Sequence, residues 1–436
     1  MLGQASIPLV GLVDTVVIGR TGDAAALAGV ALGATVISLV FWSFGFLRMG
    51  MTGLTAQADG ADNRGEVEAL LVRGLAIGGA IGAVLLVLAW PLRELAFALL
   101  AGGEATTAEG RAYVTMRFFG APAALAVFAM TGWLFGIGRT RAALALQLVM
   151  NAANIVFDVL LVMGLGMSAA GVGLGTALAE GVALATGLLL VTRIAGAGPL
   201  ALTRRIGAAR LWDREALRRL FAVNRDLMIR TVALLLMFAW FANAGARLGA
   251  IVLAANHVLM QFVAVAAFVL DAFAFTAEAR VGQAIGARSR DGFTRAVRLT
   301  AEFSLASGAL LAILFWTAGE TLIALITTDP EIRTAAVRFL PFAALIPLIG
   351  VPSWMLDGIF IGATRGRALR NAGIAATALY VATDLALRPL GPLGVWLALW
   401  AAYVYRAGGL AIALPALIRS LHVPQSVEHG GRSALS

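Results

Sequence analysis

The chain alternates between long apolar segments and short polar loops. The apolar runs are continuous and do not alternate with a period of two, which excludes a transmembrane β-barrel. A helix needs about 20 apolar residues to cross the hydrocarbon core of a bilayer. The pattern therefore predicts twelve membrane-spanning helices, at residues 2–19, 25–56, 68–91, 110–137, 141–164, 170–194, 217–245, 250–281, 293–318, 332–362, 366–388 and 393–418.

The longest polar interruption divides these spans into two sets of six. We expect an N-terminal lobe over 1–195, a cytoplasmic connector over 196–215, a C-terminal lobe over 216–420 and a cytoplasmic tail over 421–436. Each lobe is predicted to be a six-helix bundle. The predicted fold class is thus an all-α polytopic membrane protein.

Two short motifs recur at equivalent places in the two halves. Thr55–Ala58 (TAQA) matches Thr276–Ala279 (TAEA), and Gly138–Arg141 (GRTR) matches Gly362–Arg365 (GATR). Because six spans are an even number, both halves cross the membrane in the same direction. We therefore expect a pseudo-two-fold axis along the membrane normal, an arrangement found in transporters that rock two bundles around a central site.

Composition agrees with a membrane protein and narrows its function. The chain is 60% hydrophobic and 13% charged, with a mean hydropathy of +0.90, whereas soluble domains are about a quarter charged. The net charge of +9 is spread over many loops, so we expect no nucleic-acid partner. The chain has no cysteine and three scattered histidines. It thus shows no catalytic constellation, and we predict neither an enzyme nor a cofactor.

The arginines predict how the chain is oriented. Most of them lie in loops on one side of the membrane, including the stretch from Arg193 to Arg219, the stretch from Arg280 to Arg298 and the C-terminal tail. Positively charged loops stay in the cytoplasm. We therefore predict a multi-pass protein of the cell inner membrane with both termini in the cytoplasm.

An acid stands in the middle of the fifth span. Asp158 lies in the apolar run NAANIVFDVLLVMGLG, and Asn154 precedes it by one helical turn. A carboxylate at that depth costs a few kcal/mol or more unless it is paired, hydrated or protonated, so it indicates a functional site. Residues four apart share a helix face. The Asn154 amide and the Asp158 carboxyl are therefore predicted to point into one cavity.

Three further polar residues are predicted to lie near Asp158, in the half of the N-terminal bundle that faces away from the cytoplasm. They are Asp14 in span one, Tyr113 in span four and Thr176 in span six. Two carboxyl groups in one low-dielectric cavity cannot both ionise cheaply, so such a pair is typical of a proton carrier. The same oxygens could bind sodium. The sequence does not separate H⁺ from Na⁺ as the coupling ion.

Four stretches together resemble the multidrug and toxic compound extrusion (MATE) family, in particular its DinF-like branch. They are IPLVGLVD, VFWSFGFLRMGMTGLTAQA, NIVFDVLLVMGLG and LDGIFIGATRG. The resemblance implies a twelve-helix antiporter that exports amphipathic or cationic organic compounds in exchange for protons or sodium. It also implies ion coupling at Asp14, Asn154 and Asp158, with Tyr113 and Thr176 as less certain members of the site.

The first span looks short for this family. The resemblance implies a first helix that begins earlier and carries a proline in its cytoplasmic half, whereas Pro8 matches the other proline of that pattern. We therefore expect that the first helix is truncated or that Met1 is not the true start.

The second half is expected to differ from the first in its acids. The repeat places Leu235 opposite Asp14, which favours the N-terminal lobe as the ion-handling half. Asp271 and Asp357 are candidates for a cavity in the C-terminal lobe, although each could instead pair with an arginine. Most of the intramembrane arginines are expected to snorkel to the interface; they are Arg48, Arg225, Arg230 and Arg406.

The leading function is a proton-coupled drug antiporter that works as a monomer in the lipid bilayer on small amphipathic organic substrates. The alternative is a lipid-linked precursor flippase of the same superfamily, which would carry arginines in its central cavity. Arg48 and Arg230 keep that alternative open. A membrane enzyme is disfavoured because the chain offers no catalytic constellation.

Overall fold

The computed structural model describes residues 7–100 and 103–421, and over these ranges the chain is helical, with no strand. The helices appear in the order and near the places of the twelve predicted spans. In chain order they are α1 (Ile7–Gly19), α2 (Ala24–Ser43), α3 (Phe46–Gly60), α4 (Arg64–Val87), α5 (Ala89–Leu99), α6 (Glu104–Phe119), α7 (Ala121–Gly136), α8 (Thr140–Asp158), a π-helix (Val159–Gly164), α9 (Ser168–Ala195), α10 (Pro199–Ile206), α11 (Ala208–Leu211), α12 (Arg214–Arg247), α13 (Ala250–Gly286), α14 (Arg290–Ile326), α15 (Pro330–Gly362), α16 (Gly366–Leu387), a 3₁₀ turn (Arg388–Leu390) and α17 (Pro392–Ser420).

The described helices have the length and apolarity that a bilayer demands. Nine spans are long and apolar enough to cross a membrane, and a tenth is formed by α6 and α7 together. The helices α6 and α7 meet at an angle of 54°. Pro122 at the start of α7 explains the bend, because proline lacks the backbone N–H that would continue the hydrogen-bond ladder.

The second predicted span, 25–56, corresponds to one membrane span over Ala24–Gly60, with a local break at Phe44 and Gly45 between α2 and α3. The third predicted span is followed by an additional helix, α5. The predicted connector is not an open loop. It forms α10 and α11, which pack on α4 and bury Leu202 and Leu211. Arg73 of α4 fixes it by donating from Nε to the Leu211 carbonyl over 2.9 Å.

The predicted start and tail lie mostly outside the described residues. The structure describes nothing before residue 7 and nothing after Leu421. The beginning of the first helix and the predicted tail over 421–436 therefore lie outside the described residues, apart from Leu421.

The apolar core runs through both lobes. One cluster of buried apolar side chains fills the N-terminal bundle and continues into one end of the C-terminal bundle, at residues such as Leu220 and Leu369. A second cluster fills the rest of the C-terminal bundle, around Phe262 and Trp396. The shared cluster means that the two lobes pack together at one end.

Hydrogen bonds between the lobes lie at the end that carries the arginine-rich loops. Gln57 of α3 donates from Nε2 to the Gly362 carbonyl over 2.9 Å. Gln283 of α13 donates from Nε2 to Asp59 Oδ2 over 3.0 Å. Arg219 of α12 donates to Gln57 Oε1 over 2.6 Å. The lobes are therefore closed against each other at this end.

Two glycines permit the closest approach between the lobes. A β-carbon at Gly60 would overlap the carbonyl group of Gln283, and one at Gly286 would overlap the carbonyl group of Gln57. The contact is reciprocal, because each helix end presents a glycine to the backbone of the other. Backbone atoms cannot move aside as a side chain can, so the closure depends on both positions lacking a side chain.

Candidate functional site

Packing of α1 and α8 brings Asp14 and Asp158 together in the N-terminal lobe. Asp14 lies on α1, and Asp158 is the last residue of α8, directly before the π-helix Val159–Gly164. The side chains are buried, with exposed fractions of 7% and 0%. Gly175 of α9 leaves the space for the Asp158 carboxylate, because a β-carbon there would overlap it. π-helical turns often occur at functional sites.

The two carboxyl groups lie close enough to interact with each other, and Asn154 lies beside both. Asn154 Nδ2 donates to Thr176 Oγ1 over 3.1 Å, and the Thr176 hydroxyl donates to the Val172 carbonyl over 3.1 Å. The structure thus brings together four of the residues predicted from the sequence. Asn154 is held in place by a threonine whose own proton is already used.

The site has more acceptors than donors. Both oxygens of Asp158, Oδ1 of Asp14 and Oδ1 of Asn154 are buried and have no hydrogen-bond donor among the described residues. A buried acceptor without a partner costs about 1–3 kcal/mol, and more when it is charged. Two carboxyl groups this close cannot form a hydrogen bond unless one of them carries a proton. The arrangement is therefore suited to hold a proton or a hard cation.

Tyr113 lies next to Arg117, a site residue that the sequence did not predict. Tyr113 is 3% exposed and lies close enough to Arg117 to interact with its charge. Arg117 Nη1 lies 3.0 Å from both carboxylate oxygens of Glu180. This buried ion pair is close enough to act electrostatically on Asp14 and Asp158.

The spacing of Arg117 and Glu180 along their helices could have indicated that both belong to the site. Arg117 follows Tyr113 by four residues on α6, and Glu180 follows Thr176 by four residues on α9. Each charged residue therefore shares a helix face with a predicted site residue. Neither Asp14 nor Asp158 forms an ion pair within the described part of the chain, since Arg117 is engaged by Glu180.

Asp357 in the C-terminal lobe has arginine partners, unlike Asp14 and Asp158. Asp357 Oδ2 accepts from Arg406 Nη2 over 2.7 Å and also from Arg230 Nη2. All three side chains are buried. The expectation that most intramembrane arginines snorkel is wrong for Arg230 and Arg406, because each has a buried carboxylate as its partner. Arg225 has an exposed side chain.

Asp271, the other candidate of this lobe, belongs to the same electrostatic neighbourhood. It is partly buried, on α13, and close enough to interact with Arg48 and Arg230. Arg48 also does not snorkel. It crosses from α3 to Glu278 of α13 over 3.4 Å, and its guanidinium lies 3.8 Å from the centre of the Phe275 ring. The Arg48–Glu278 pair therefore links the two lobes.

Acids are buried in both lobes, so burial alone does not set the N-terminal lobe apart. Asp384 of α16 is 2% exposed, and its Oδ2 accepts from Trp240 Nε1 over 2.8 Å and from Arg247 Nη2 over 2.9 Å. Asp357 and Glu278 are likewise paired with arginines. What distinguishes Asp14 and Asp158 is that these buried acids have no arginine partner among the described residues. Nor does this part of the chain place three or more histidine, aspartate or glutamate side chains where they could hold a metal ion.

Comparison with known proteins assigns the chain to a family. The MatE family profile matches residues 1–160 and 227–384. The chain is 41% identical over 416 residues to the DNA damage-inducible protein F of Escherichia coli (strain K12), covering 95% of this chain and 89% of that protein.

Solved structures share the fold. A crystal structure of a MATE protein in the bent conformation superposes with a TM-score of 0.87 at 18% identity, covering 97% of this chain and 95% of the other. An outward-facing multidrug resistance MATE transporter of the MOP superfamily superposes with a TM-score of 0.83 at 18% identity, covering 97% and 94%. These matches confirm the predicted all-α polytopic fold. The chain thus belongs to the MatE family of membrane transporters, is similar to the DNA damage-inducible protein F of E. coli, and is not an enzyme.

Proposed function

We propose that the protein is a secondary antiporter that exports small amphipathic or cationic organic compounds in exchange for protons. The observation that carries this proposal is the close pair of buried carboxyl groups of Asp14 and Asp158, with three unpartnered oxygens between them. Such a pair binds one proton readily and resists losing both. Asn154 and Thr176 orient the pair, and sodium is the alternative coupling ion for the same oxygens.

The contrast with the C-terminal lobe supports coupling in the N-terminal lobe. Asp357 accepts from the buried arginines Arg230 and Arg406, and Asp384 accepts from Arg247. An acid that already has a fixed positive partner gains little from a proton or a sodium ion. Asp14 and Asp158 have no such partner within the described residues and so remain available to a mobile cation.

Alternating access of the two lobes would connect this site to export. The lobes are closed at the end with the arginine-rich loops, where Gln57 and Gln283 bridge them. If that end faces the cytoplasm, as the positive-inside rule predicts, this form is the outward-facing one.

We further propose a lobe division at residues 1–195 and 216–420, a monomer in the inner membrane, and both termini in the cytoplasm.

The substrate would enter between the lobes, near the Arg48–Glu278 pair. Asp271 and Glu278 offer negative charge for a cationic compound, and the stacked rings of Phe135 and Phe275, 5.9 Å apart, offer an apolar contact from both lobes. Breaking the 3.4 Å Arg48–Glu278 contact would free Glu278 for such a compound. Asp357 would act there through its two arginines and not as a free acid.

The flippase alternative is less well supported. It needs arginines that are free to bind an anionic lipid-linked cargo, yet Arg48 is paired with Glu278 and Arg230 with Asp357. A MOP superfamily transporter of Pyrococcus furiosus with a described reverse polarity of its binding pocket superposes with a TM-score of 0.82, but at 18% identity this likeness shows the fold alone.

Efflux from vesicles tests the proposal. The purified chain is reconstituted, a fluorescent cationic dye is supplied, and a pH gradient and a sodium gradient are imposed separately. The proposal expects dye movement driven by the pH gradient in the parent chain and none in Asp158→Asn. Dye movement driven by the sodium gradient alone would show that the coupling ion is sodium and not the proton. Undiminished movement in Asp158→Asn would refute coupling there.

A further inference from the structure

A second cavity lies away from the carboxyl pair, inside the C-terminal lobe at its arginine-rich end. It has a volume of about 460 Å³ and is lined by residues from the start of α12, the end of α15, the start of α16 and the end of α17. The transport site described above uses none of its residues. Its lining combines two kinds of surface, one cationic and one apolar.

The cationic part consists of arginines without acidic partners. Arg219, Arg365 and Arg367 line the cavity, and none of the three forms an ion pair with another described residue. Arg219 and Arg365 make only neutral hydrogen bonds, and Arg365 Nη2 donates to Ser420 Oγ over 2.9 Å. The lining therefore carries a concentrated positive charge.

One acid lines the cavity, and its charge is already matched. Asp226 is buried and accepts from Arg370 over 2.9 Å and from Arg225 over 3.2 Å. It therefore does not cancel the charge of the three lining arginines. The cavity retains a net positive charge and offers guanidinium groups, which suit the oxygens of a phosphate group.

The apolar part of the lining leads towards the lipid. Ala413, Ala416 and Leu417 of α17 form one wall. Ile412, next to Ala413 in the chain, is 84% exposed, and Phe221, two residues after Arg219, is 55% exposed. On helices that cross a membrane, such exposed side chains contact lipid. The cavity thus has charge at its polar end and an apolar wall beside lipid-facing residues.

We propose that this cavity binds an anionic glycerophospholipid of the inner leaflet. The phosphate would lie against Arg219, Arg365 and Arg367, and an acyl chain would follow α17 past Ala413 and Leu417. Basic pockets between membrane helices on the cytoplasmic side are suited to such headgroups. The lining residues all belong to one lobe, but Arg219 also donates to Gln57 of the other lobe, so a bound phosphate would compete with that contact between the lobes. This inference is independent of the ion site.

Native mass spectrometry of the purified full chain tests the proposal. The chain is titrated with phosphatidylglycerol and, separately, with phosphatidylcholine carrying the same acyl chains. We expect a preference of about tenfold or more for phosphatidylglycerol. The double variant Arg365→Gln/Arg367→Gln should lose about that preference, since each arginine near an anionic lipid contributes roughly a fivefold gain in binding. The single variant Arg367→Gln should lose part of it and serves if the double variant does not fold.

The matched control is Arg139→Gln/Arg141→Gln. It removes the same charge from the repeat-related loop, where Arg141 corresponds to Arg365, and neither residue lines the cavity. We expect the control to bind phosphatidylglycerol like the parent. An equal loss in both double variants would show only general attraction to basic loops and would overturn the proposal.

Two further arms separate the lipid from other occupants. Millimolar inorganic phosphate should leave phosphatidylglycerol bound, because it cannot use the apolar wall. Full displacement by phosphate would make the cavity a phosphate site and not a lipid site. Deletion of residues 422–436 should likewise leave binding unchanged, whereas a tenfold gain would identify the C-terminal tail as the occupant and refute the lipid assignment.

Discussion

Replacing Gly286 with alanine should open the contact between the lobes at their arginine-rich end. A β-carbon at this position would overlap the carbonyl group of Gln57 on the facing helix, and a backbone group has no rotamer to escape to. Overpacking of this kind costs about 1–3 kcal/mol. The cost falls on the closed form alone, because the two helix ends separate in the open form. At 1.4 kcal/mol per factor of ten, the ratio of open to closed molecules should rise by about 5- to 150-fold.

Distances between spin labels on the two lobes measure this ratio. The chain has no cysteine, so the pair Arg141→Cys and Arg290→Cys can be labelled without removing native residues, and both positions are exposed. We expect a single short distance in the parent and an added longer distance in Gly286→Ala. Gly60→Ala, which would overlap the Gln283 carbonyl, should act in the same direction.

Gly181→Ala is the matched control for this experiment. Gly181 lies within α9, and a β-carbon there would meet no atom within 4 Å. It introduces the same general preference of alanine for helix, about 1 kcal/mol, without the overlap. If Gly286→Ala and Gly181→Ala give the same distance distribution, close backbone approach does not seal this end, and the reasoning fails.

Four further outcomes follow from the buried acids. Asp158→Asn and Asp14→Asn should each abolish dye efflux from vesicles while the protein stays folded in a thermal unfolding assay. Asn154→Ala should be milder, because it removes hydrogen bonding worth about 0.5–1.5 kcal/mol and keeps both titrating groups; efflux measured across pH should show a shifted profile and not a loss. Asp357→Asn leaves two buried arginines without a negative partner, so the free energy of unfolding should fall by about 3–5 kcal/mol, and an unchanged melting temperature would contradict the pairing. Gly175→Ala should displace the Asp158 carboxylate and reduce efflux, with normal efflux arguing that the carboxylate has room to move.

The positions of the spans could be predicted because the bilayer fixes the length of an apolar run. The same logic exposed Asp158, since a lone acid in such a run has few local explanations. The bend between α6 and α7 could be predicted only in part from the sequence. Pro122 marks it in the sequence, but a proline inside an apolar run does not give the 54° angle.

The ion pairs of the two lobes could not be predicted in the same way. Arg117 and Glu180 are 63 residues apart, and Arg230 and Asp357 are 127 residues apart. Each residue alone fits a snorkelling or capping role, and only the packing of distant helices brings the charges together. The amphipathic pattern locates helix faces, but it does not say which faces meet.

The most direct test of the coupling mechanism is the number of protons released when drug binds to the detergent-solubilised protein. Proton and drug must favour opposite states of the transporter if one is to drive the other. Drug added to the parent chain in weak buffer should therefore release a proton from the Asp14–Asp158 pair, and Asp158→Asn should release none although it still binds the drug. Equal proton release from the parent and the variant would contradict the account and move the coupling to the acids of the second lobe, beginning with Asp271.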